Sequence, residues 1–294
     1  MSRVVVVGDV MWDVVVRPQG PVAEFSDTPA AIRVARGGAA ANLAVALREA
    51  LNRPADVVYV GSRGADAMGE RFEQELQRHN VVPFLRVTSD ATGTLVSMVD
   101  ERGERTMLTD RGANDALCAE DVLDALTEDL VHLHLSGYTV LSGNNAGWIA
   151  QAIDRAHERG ATVSVDVCSW QPLQAFGPSR FRSTIGNVDV LAANEVEAVQ
   201  LVGASDYEEA LRQLSDHHGE VVVTIGARGA VVQRAGIRSH APSQAVDVVD
   251  TTGAGDATLG TYLAYRLDGH DPAGALRAAM SKAAAVVGGF GSAG

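Results

Sequence analysis

Lysine is nearly absent from this chain of 294 residues, in which Lys282 is the only one. A Walker A phosphate-binding loop needs a lysine directly after its last glycine. The glycine-rich stretch 250–256 lies well upstream of Lys282, so it is not a loop of that kind. Cysteine is also scarce. Cys118 and Cys168 lie far apart and in no metal-ligand spacing, which predicts two structural thiols in a reducing cytoplasm.

Long apolar runs are missing as well. No stretch has the length of a transmembrane helix, and the chain passes almost directly from Met1 into a predicted strand. We therefore expect no membrane segment, no signal peptide and a cytoplasmic location. The net charge of −13 disfavours nucleic acid and anionic membranes as partners. It also means that an anionic substrate would need local arginines or a metal ion.

The length and the 46% of hydrophobic residues suit one large α/β domain with a small subdomain. Strand-like runs alternate with helical stretches, which predicts a parallel sheet covered on both faces, with sites at the carboxyl ends of its strands. The predicted strands are 3–8, 57–60, 131–136, 162–166, 188–192 and 221–225. The predicted helices are 38–51, 66–79, 144–159, 195–202, 207–217 and 273–287. Two segments break the alternation: 17–36 is polar, and 92–109 has the pattern of a hairpin.

The stretch Asp250–Asp256 has the sequence Asp-Thr-Thr-Gly-Ala-Gly-Asp and precedes a predicted helix. The first turn of a helix offers unpaired N–H groups and the positive end of the helix dipole, which suits an anion such as phosphate. A carboxylate beside such a site is a poor choice for binding alone. It suits a base that takes the proton of a hydroxyl attacking phosphorus, which indicates this role for Asp256. The alternative is an aspartate that caps an ordinary helix.

Two stretches near the start of the chain carry candidate binding residues. Asp13 ends the sequence Gly-Asp-Val-Met-Trp-Asp after the first strand, and its carboxylate can accept strong hydrogen bonds from hydroxyl groups. The alternative is a solvated turn aspartate. Gly37, Gly38 and Asn42 lie at the start of a helix. The glycines let backbone approach a ligand, and Asn42 can donate and accept at once; the alternative is a plain glycine-rich helix entry.

Two further stretches follow later strands. Asn194 and Glu197 come after the strand 188–192, and a carboxylate there suits Mg²⁺, which favours one or two carboxylates together with waters and phosphate oxygens. The alternative is an acidic first helical turn. Thr224, Gly226 and Gly229 end the strand 221–225 and begin a second hairpin. Without its neighbours this stretch indicates only a turn.

These five stretches, in this order, resemble the motifs of the ribokinase-like (PfkB) family of carbohydrate kinases, and the resemblance covers essentially the whole chain. It implies a three-layer α/β/α fold with a mostly parallel central sheet and a small β-sheet lid. One kinase domain would span 1–294, with lid segments within 14–36 and 88–112. The implied reaction is ATP-dependent phosphorylation of a hydroxyl of a small sugar-like molecule. Mg²⁺ and a monovalent cation such as K⁺ are the implied metal ions, and a homodimer through the lid is the implied assembly.

The resemblance also implies residue roles. Asp256 is the general base, and the backbone N–H groups of Gly253, Ala254 and Gly255 stabilise charge on the transferred phosphoryl group. The sugar site would contain Asp13, Gly37, Gly38, Asn42 and Arg105. The nucleotide site would contain Asn194, Thr224, Gly226, Gly229 and Lys282, with Glu197 holding Mg²⁺ largely through water. Family members often have asparagine where Lys282 stands, and the alternative is a lysine that reaches solvent.

The acceptor is the least specified part of the implied reaction. Several sugar-acid and fructose kinases of the family carry Asp-x-Asn-x-Arg where this chain has Asp166-x-Cys168-x-Trp170. The missing arginine favours a neutral sugar such as a pentose or a ketohexose, because a buried carboxylate must be paired. A 2-keto-3-deoxygluconate kinase stays an alternative, because a lid segment could supply an arginine that pairs with the acid. The candidates are Arg33, Arg36, Arg105 and Arg111. A nucleoside (adenosine-type) kinase is the nearest rival, although Phe25 is the only aromatic residue in the lid segments to stack on a base. A non-catalytic sugar or nucleotide sensor is the alternative from another class.

Overall fold

The computed structural model describes residues 2–100, 105–142, 146–244 and 253–288. Its strands are β1 (Ser2–Val7), β2 (Met11–Pro18), β3 (Ala30–Arg36), β4 (Ala55–Gly64), β5 (Val82–Thr88), β6 (Gly93–Val99), β7 (Arg105–Asp110), β8 (Leu130–Ser136), β9 (Thr162–Asp166), β10 (Val190–Asn194), β11 (Glu220–Thr224), β12 (Ala230–Arg234) and β13 (Ile237–Ala241). Its helices are α1 (Ala39–Ala50), α2 (Ala67–Arg78), α3 (Ala119–Ala125), α4 (Gly137–Leu141), α5 (Ala146–Glu158), α6 (Trp170–Phe176), α7 (Pro178–Ile185), α8 (Glu195–Val202), α9 (Tyr207–Ser215), α10 (Ala254–Leu267) and α11 (Pro272–Val287). None of these helices is long and apolar enough to cross a membrane.

Nine strands form the central sheet in the order β13-β12-β11-β10-β9-β8-β1-β4-β5. The pairings from β11 across to β5 are parallel, and only β12 pairs with its neighbours in antiparallel fashion. The side chains of β1 alternate between two apolar cores: Val5 and Val7 pack in one, Val4 and Val6 in the other. A strand buried on both faces needs a continuous apolar run, as 3–8 shows. The predicted α/β class with a mostly parallel sheet is confirmed.

A separate four-stranded sheet, the lid sheet, has the order β3-β2-β6-β7. β2 pairs with β6 in parallel, and the other two pairings are antiparallel. This confirms the predicted hairpin within 92–109, whose turn at 101–104 lies outside the described residues. The sheet differs from the expectation at its start, because β2 begins at Met11 rather than at 14. Segment 17–36, which is polar and which the resemblance assigns to the lid, supplies the end of β2 and all of β3.

Several elements were not predicted. β5 is the clearest case: it contains Pro83, and a proline inside an apolar run argues against a central strand. β5 lies at the edge of the central sheet, where proline is tolerated. The short helices α3, α6 and α7 were also missed, since each has too few turns to show a helical period. The predicted start of a helix at 144 lies outside the described residues.

Helix α10 packs against both α1 and α11. A Cβ atom at Gly260 would lie 2.5 Å from the carbonyl oxygen of Leu43, so only glycine allows α10 to approach α1 this closely. The close packing brings the first turn of α10, which contains Asp256, beside Asn42 of α1. Two residues 214 positions apart in the sequence therefore meet at one edge of the central sheet.

Candidate active site

Polar residues gather at the carboxyl ends of the central strands. Asp166 ends β9, Asn194 ends β10 and Thr224 ends β11. Three neighbouring cavities open at this edge. The lid cavity, of about 450 Å³, lies between the lid sheet and the central sheet and is lined by Asp13 and Asp256. The middle cavity, about 270 Å³, also contacts Asp256, and the outer cavity, about 730 Å³, extends from Thr224 to α11.

Asp256 is the third residue of α10 and lines both the lid cavity and the middle cavity. Burial raises the pKa of its carboxyl to about 6, against the opposing effect of a hydrogen bond from Asn42. Gly253 begins the helix in the left-handed conformation (φ 74°), while Gly255 lines the middle cavity and Ala254 the outer one. The predicted base and the predicted anion-binding turn therefore share the middle cavity, while Asp256 also lines the lid cavity and Gly255 also lines the outer cavity. Residues 250–252 of this motif lie outside the described residues.

Asn42 connects the glycine-rich motif of α1 to Asp256. Its Nδ2 donates to Oδ2 of Asp256 over 2.9 Å, whereas its buried Oδ1 finds no hydrogen-bond partner among the described residues. The guanidinium of Arg36 is buried nearby, and its positive charge lowers the pKa values of both Asp13 and Asp256. An unpaired buried oxygen is costly, and a hydroxyl group of a ligand in the lid cavity would satisfy it.

Asp13, Gly38 and Arg105, which the resemblance assigns to the sugar site, line the lid cavity. Burial raises the pKa of Asp13 to about 6, and the charges of Arg36 and Arg105 oppose the rise. Gly37 is not among the described residues that line this cavity. A Cβ atom there would lie 2.0 Å from Oδ1 of Asp13, so the structure explains this glycine by the aspartate packed against it.

Sequence reasoning gave no role to the pair formed by Asp9 and Arg111. Arg111 follows the last lid strand and binds Asp9, which follows β1, through two hydrogen bonds of 2.6 and 3.0 Å. It also donates to Asp115 over 2.9 Å. Burial raises the pKa of Asp9 in spite of this pairing. The pair ties the lid sheet to the central sheet at the wall of the lid cavity. From the sequence, Arg111 was named only among the arginines that could pair with a sugar acid, and Asp9 was given no role.

Asn194 and Glu197 form a capping box at the start of α8. The Glu197 carboxylate accepts from the Asn194 backbone N–H at 2.8 Å and from its side-chain amide at 2.7 Å, while Asn194 accepts from the Glu197 N–H at 2.9 Å. Glu197 therefore has a structural role in the first turn of α8, which is the alternative given for it in the sequence analysis. Glu197 is nevertheless only 4% exposed and lines the middle cavity, where burial and the charge of Asp256 raise its pKa.

Asp166 is the acidic residue of the middle cavity to which sequence reasoning gave no role. It also lines the lid cavity, and its pKa is raised by burial and by the charges of Glu197 and Asp256. The described residues hold no group of three or more side chains able to ligate a metal by themselves. Carboxylates that destabilise one another's ionised forms around a small cavity do fit a divalent cation that completes its shell with waters and phosphate oxygens.

The outer cavity has a polar end and an apolar end. Thr224, Gly226, Gly229 and Asn194 line the first, and Met280 with small residues of α11 lines the second. This arrangement suits an elongated ligand with one charged and one flat apolar part. It brings together the predicted nucleotide-binding residues with one exception.

Lys282 is that exception, and the prediction that it binds nucleotide needs correction. It is not among the described residues that line the outer cavity, and its Nζ forms an ion pair with Oε2 of Glu49 at 2.7 Å. The lysine sits on a different side of α11 from Met280 and Ala283, which do line the cavity.

Trp170 also lies elsewhere than its sequence position suggested. It lines the outer cavity and is 45% exposed, and it is not among the described residues around the lid cavity. The missing arginine at this position therefore says nothing about the charge of the lid cavity. Among the described residues, the cations that line the lid cavity are Arg105 and Arg111.

The family model described as pfkB family carbohydrate kinase matches residues 1–294. The chain belongs to this family. It is a sugar or nucleoside kinase with a ribokinase-like fold. The family and the enzyme class predicted from the sequence are confirmed. Among curated pfkB family relatives, an ATP-dependent ribose-1-phosphate kinase of Halopiger xanaduensis is 32% identical over 98% of this chain and 93% of its own. An aminoimidazole riboside kinase of Salmonella typhimurium is 29% identical over 90% and 80%.

Solved structures share the pfkB fold over nearly the whole chain. The adenosine kinase of Sinorhizobium meliloti superposes with a TM-score of 0.85 at 24% identity, covering 99% of this chain and 95% of its own. A putative ribokinase II from E. coli, in complex with ATP and Mg²⁺, has a TM-score of 0.83 at 24% identity and covers 99% and 94%. At these identities the likeness shows the fold, and it agrees with the two sheets described above.

Proposed function

We propose that this kinase transfers the γ-phosphoryl group of ATP to a hydroxyl of a small sugar-like substrate, with Asp256 as general base. One observation carries the proposal: the Asp256 carboxylate lines both the lid cavity and the middle cavity. A hydroxyl bound under the lid and a phosphoryl group held at the start of α10 would meet at this side chain. With a pKa of about 6, the carboxylate is mostly ionised at neutral pH and is ready to accept the hydroxyl proton.

The start of α10 supplies the second element of the reaction. Backbone N–H groups of Gly253, Ala254 and Gly255 belong to the helix turn that has no earlier helical partners, and they would stabilise charge on the transferred group by about 3 kcal/mol for each well-placed donor. In the outer cavity, Thr224, Gly226 and Gly229 would hold the other phosphates, with Asn194 supporting them. The lid would exclude water, which protects ATP from hydrolysis.

Magnesium fits the middle cavity. Glu197 would hold the ion through water, since both carboxylate oxygens already accept hydrogen bonds from Asn194, and Asp166 would be the second carboxylate. Bound there, the ion would neutralise phosphate charge and relieve the repulsion that raises the pKa values of Glu197 and Asp166.

The net charge of the lid cavity supports a neutral acceptor, such as a pentose or a ketohexose. Among the described residues, four carboxylates and two guanidinium groups line the cavity, and one of the guanidinium groups, that of Arg111, is engaged by Asp9 and Asp115. An anionic substrate would lie beside carboxylates that already destabilise one another's ionised forms, which costs free energy unless the anion is paired. The carboxylates are those of Asp9, Asp13, Asp166 and Asp256.

Ribose 1-phosphate is a second candidate acceptor, favoured by two observations. The Halopiger relative with this activity in its name matches 98% of this chain. Arg105 of the lid also lines the cavity, close enough to Asp13 to lower its pKa, and would face a phosphate bound under the lid. Adenosine remains a third candidate, although Tyr138 is the only aromatic side chain among the described residues around this cavity.

A side-by-side comparison of kcat/KM tests the proposal, with ATP and Mg²⁺ as donor and ADP release as readout. The panel contains ribose, fructose, adenosine, 2-keto-3-deoxygluconate and ribose 1-phosphate. We expect a neutral sugar to lead. A lead of more than about 10-fold, or 1.4 kcal/mol, for either anionic compound would assign an anion-binding role to Arg105. Binding of ATP without turnover of any compound would favour a sensor over an enzyme.

Three further properties belong to this proposal. A homodimer through the lid sheet is supported by exposed apolar side chains on its edge strands, namely Ile32, Val34, Met107 and Leu108. Light scattering of the purified chain tests the dimer.

Stimulation of turnover by K⁺ would support a monovalent cation site near Asp250, outside the described residues. The scarcity of cysteine supports a cytoplasmic location.

A further inference from the structure

A fourth cavity, of about 290 Å³, lies at the amino ends of the central strands. The first residues of three strands line it: Thr162 of β9, Val190 of β10 and Glu220 of β11. The last turn of α10 lines it as well, through Leu263, Arg266 and Leu267. Asp256 is at the opposite end of α10, so this cavity is separate from the candidate active site, and no step of the proposed reaction uses it.

The described part of the wall of this fourth cavity contains three arginines and two carboxylates. The carboxylate of Glu220, only 5% exposed, is already fully engaged. Arg266 binds it through two nitrogens, with distances of 3.0 Å to Oε2 and 2.6 Å to Oε1, and Tyr262 donates its hydroxyl proton to Oε2. Asp189 accepts from the Val163 N–H at 2.7 Å and contacts a ring nitrogen of His157 at 3.1 Å.

The other two arginines have no carboxylate of their own among the described residues of the cavity wall. Arg234 is 53% exposed, and its Nε approaches Oε1 of Glu220 only to 3.4 Å, an oxygen that Arg266 already occupies. Arg53 donates from Nη1 to the carbonyl oxygen of Leu267 at 3.2 Å. Each guanidinium has five N–H donors, so both retain donors for another partner.

The positive charge of this cavity contrasts with the rest of the molecule. The chain carries a net charge of −13, whereas guanidinium groups outnumber carboxylates by three to two among the residues of this wall that the structure describes. The His132 ring also lines the cavity but adds no charge, since burial lowers its pKa to about 4 and its nitrogens contact Thr162 and Ser164. A concave site with surplus guanidinium groups and neutral hydrogen-bonding neighbours suits a small oxyanion.

We infer that the fourth cavity, at the C-terminal end of α10, binds a small phosphate-bearing anion between Arg53 and Arg234. Planar guanidinium groups match the oxygens of a phosphate in paired hydrogen bonds, which distinguishes phosphate from a simple halide. A volume of about 290 Å³ is at the lower limit of small-molecule pockets and admits inorganic phosphate or a short phosphate monoester. These two sources share the same recognition chemistry and are separated by the experiment.

Isothermal titration calorimetry of the full chain tests the site, with Mg²⁺ and a non-hydrolysable ATP analogue present to fill the phosphate-binding turn of α10. Inorganic phosphate and glycerol 3-phosphate are titrated in separate arms. The deciding variant is Arg234→Gln, because this half-exposed side chain is not needed for packing. The matched control is Arg212→Gln, an exposed arginine of α9 away from the cavity. Far-UV circular dichroism and the apo Tm show that both variants fold.

We expect the wild-type chain and Arg212→Gln to bind the anion equally, and Arg234→Gln to bind it at least about 10-fold more weakly, the value of one charge-assisted hydrogen bond. Arg53→Gln should act in the same direction. Tighter binding of glycerol 3-phosphate would identify a monoester site, and binding of phosphate alone a free-oxyanion site. Absence of binding in both arms, or equal affinity in Arg234→Gln and Arg212→Gln, would overturn the inference. The arginines would then have only a structural role, in contacts with Glu220 and with the end of α10.

Discussion

Asn42 of α1 donates a hydrogen bond of 2.9 Å to the Asp256 carboxylate of α10. The bond couples the two halves of the candidate site, because Asn42 lines the lid cavity and Asp256 lines both the lid and the middle cavity. It also sets the basicity of the carboxylate. A donor to the ionised form lowers the pKa of Asp256, while burial raises it to about 6.

Activity should therefore fall at acidic pH. The pH at which it falls, the acid limb of the pH–rate profile, should depend on the hydrogen bond from Asn42. The base must be ionised, so we expect kcat/KM to decrease as the pH falls through about 6. Asn42→Leu removes the donor, which raises the pKa of Asp256 and moves the acid limb to higher pH. Measurement of kcat/KM from about pH 5 to about pH 9 checks this. An acid limb at the same pH in both proteins would show that another group controls it.

Glu197→Gln should raise the Mg²⁺ concentration that gives half-maximal activity, because the middle cavity loses one carboxylate. The glutamine can still accept from the Asn194 backbone N–H, so the capping box is largely preserved. Glu208→Gln is the matched control. Glu208 is an exposed residue of α9 that is paired with Arg238 and is not among the described residues that line the cavities. An Mg²⁺ titration that changes equally in both variants, or in neither, would leave Glu197 with a structural role only.

Trp170 should report nucleotide binding. It lines the outer cavity and is 45% exposed, whereas Trp12 and Trp148 are 1% and 7% exposed. We expect MgATP to change the tryptophan emission of the wild-type chain, and Trp170→Phe to abolish that change without preventing turnover. Trp170→Ala should raise the KM for ATP more than the KM for the acceptor. A raised KM for the acceptor with an unchanged KM for ATP would place this side chain on the acceptor instead.

The buried carboxylate of Asp256 should cost stability. Its folded-state pKa of about 6 lies above the ordinary value of 3.8, so the folded state holds the proton more tightly than the unfolded state. The cost is absent well below about pH 4, grows mainly between about pH 4 and about pH 6, and is complete by about pH 8. Asp256→Asn should then raise the free energy of unfolding at about pH 8 by about 3 kcal/mol in the absence of ligands. Urea unfolding at the two ends of this pH range measures it. An equal difference at both ends would show that the buried charge is not the cause.

The sequence was sufficient where structure depends on local pattern. Strand 162–166 and helix 195–202 were predicted with the bounds that the structure has. A strand buried on both faces requires a continuous apolar run, and a capping pair marks the start of a helix, so both signals lie within a few residues. The motifs around Asp13, Asn42 and Asp256 were likewise found along the chain, although only the resemblance to a family brought them into one site.

Contacts between distant residues could not be predicted in this way. The pairing of Lys282 with Glu49, and of Arg111 with Asp9, depends on how helices and sheets pack, which no local pattern contains. The same holds for Trp170, whose direction depends on the start of α6 rather than on its neighbours in sequence. The expectation of a neutral acceptor was first argued from Trp170, which does not line the lid cavity. It is now supported by the carboxylates that do line the lid cavity.

The most direct test of Asp256 as the base is the turnover of Asp256→Asn, measured with the best acceptor of the panel and saturating MgATP. A group acting as general base contributes at least about 10²-fold, so we predict a loss of at least that size in kcat with nucleotide binding retained. Asp216→Asn, an exposed aspartate at the end of α9, is the control and should keep wild-type turnover. Turnover of Asp256→Asn within a few-fold of wild type would contradict the assignment of Asp256 as the base.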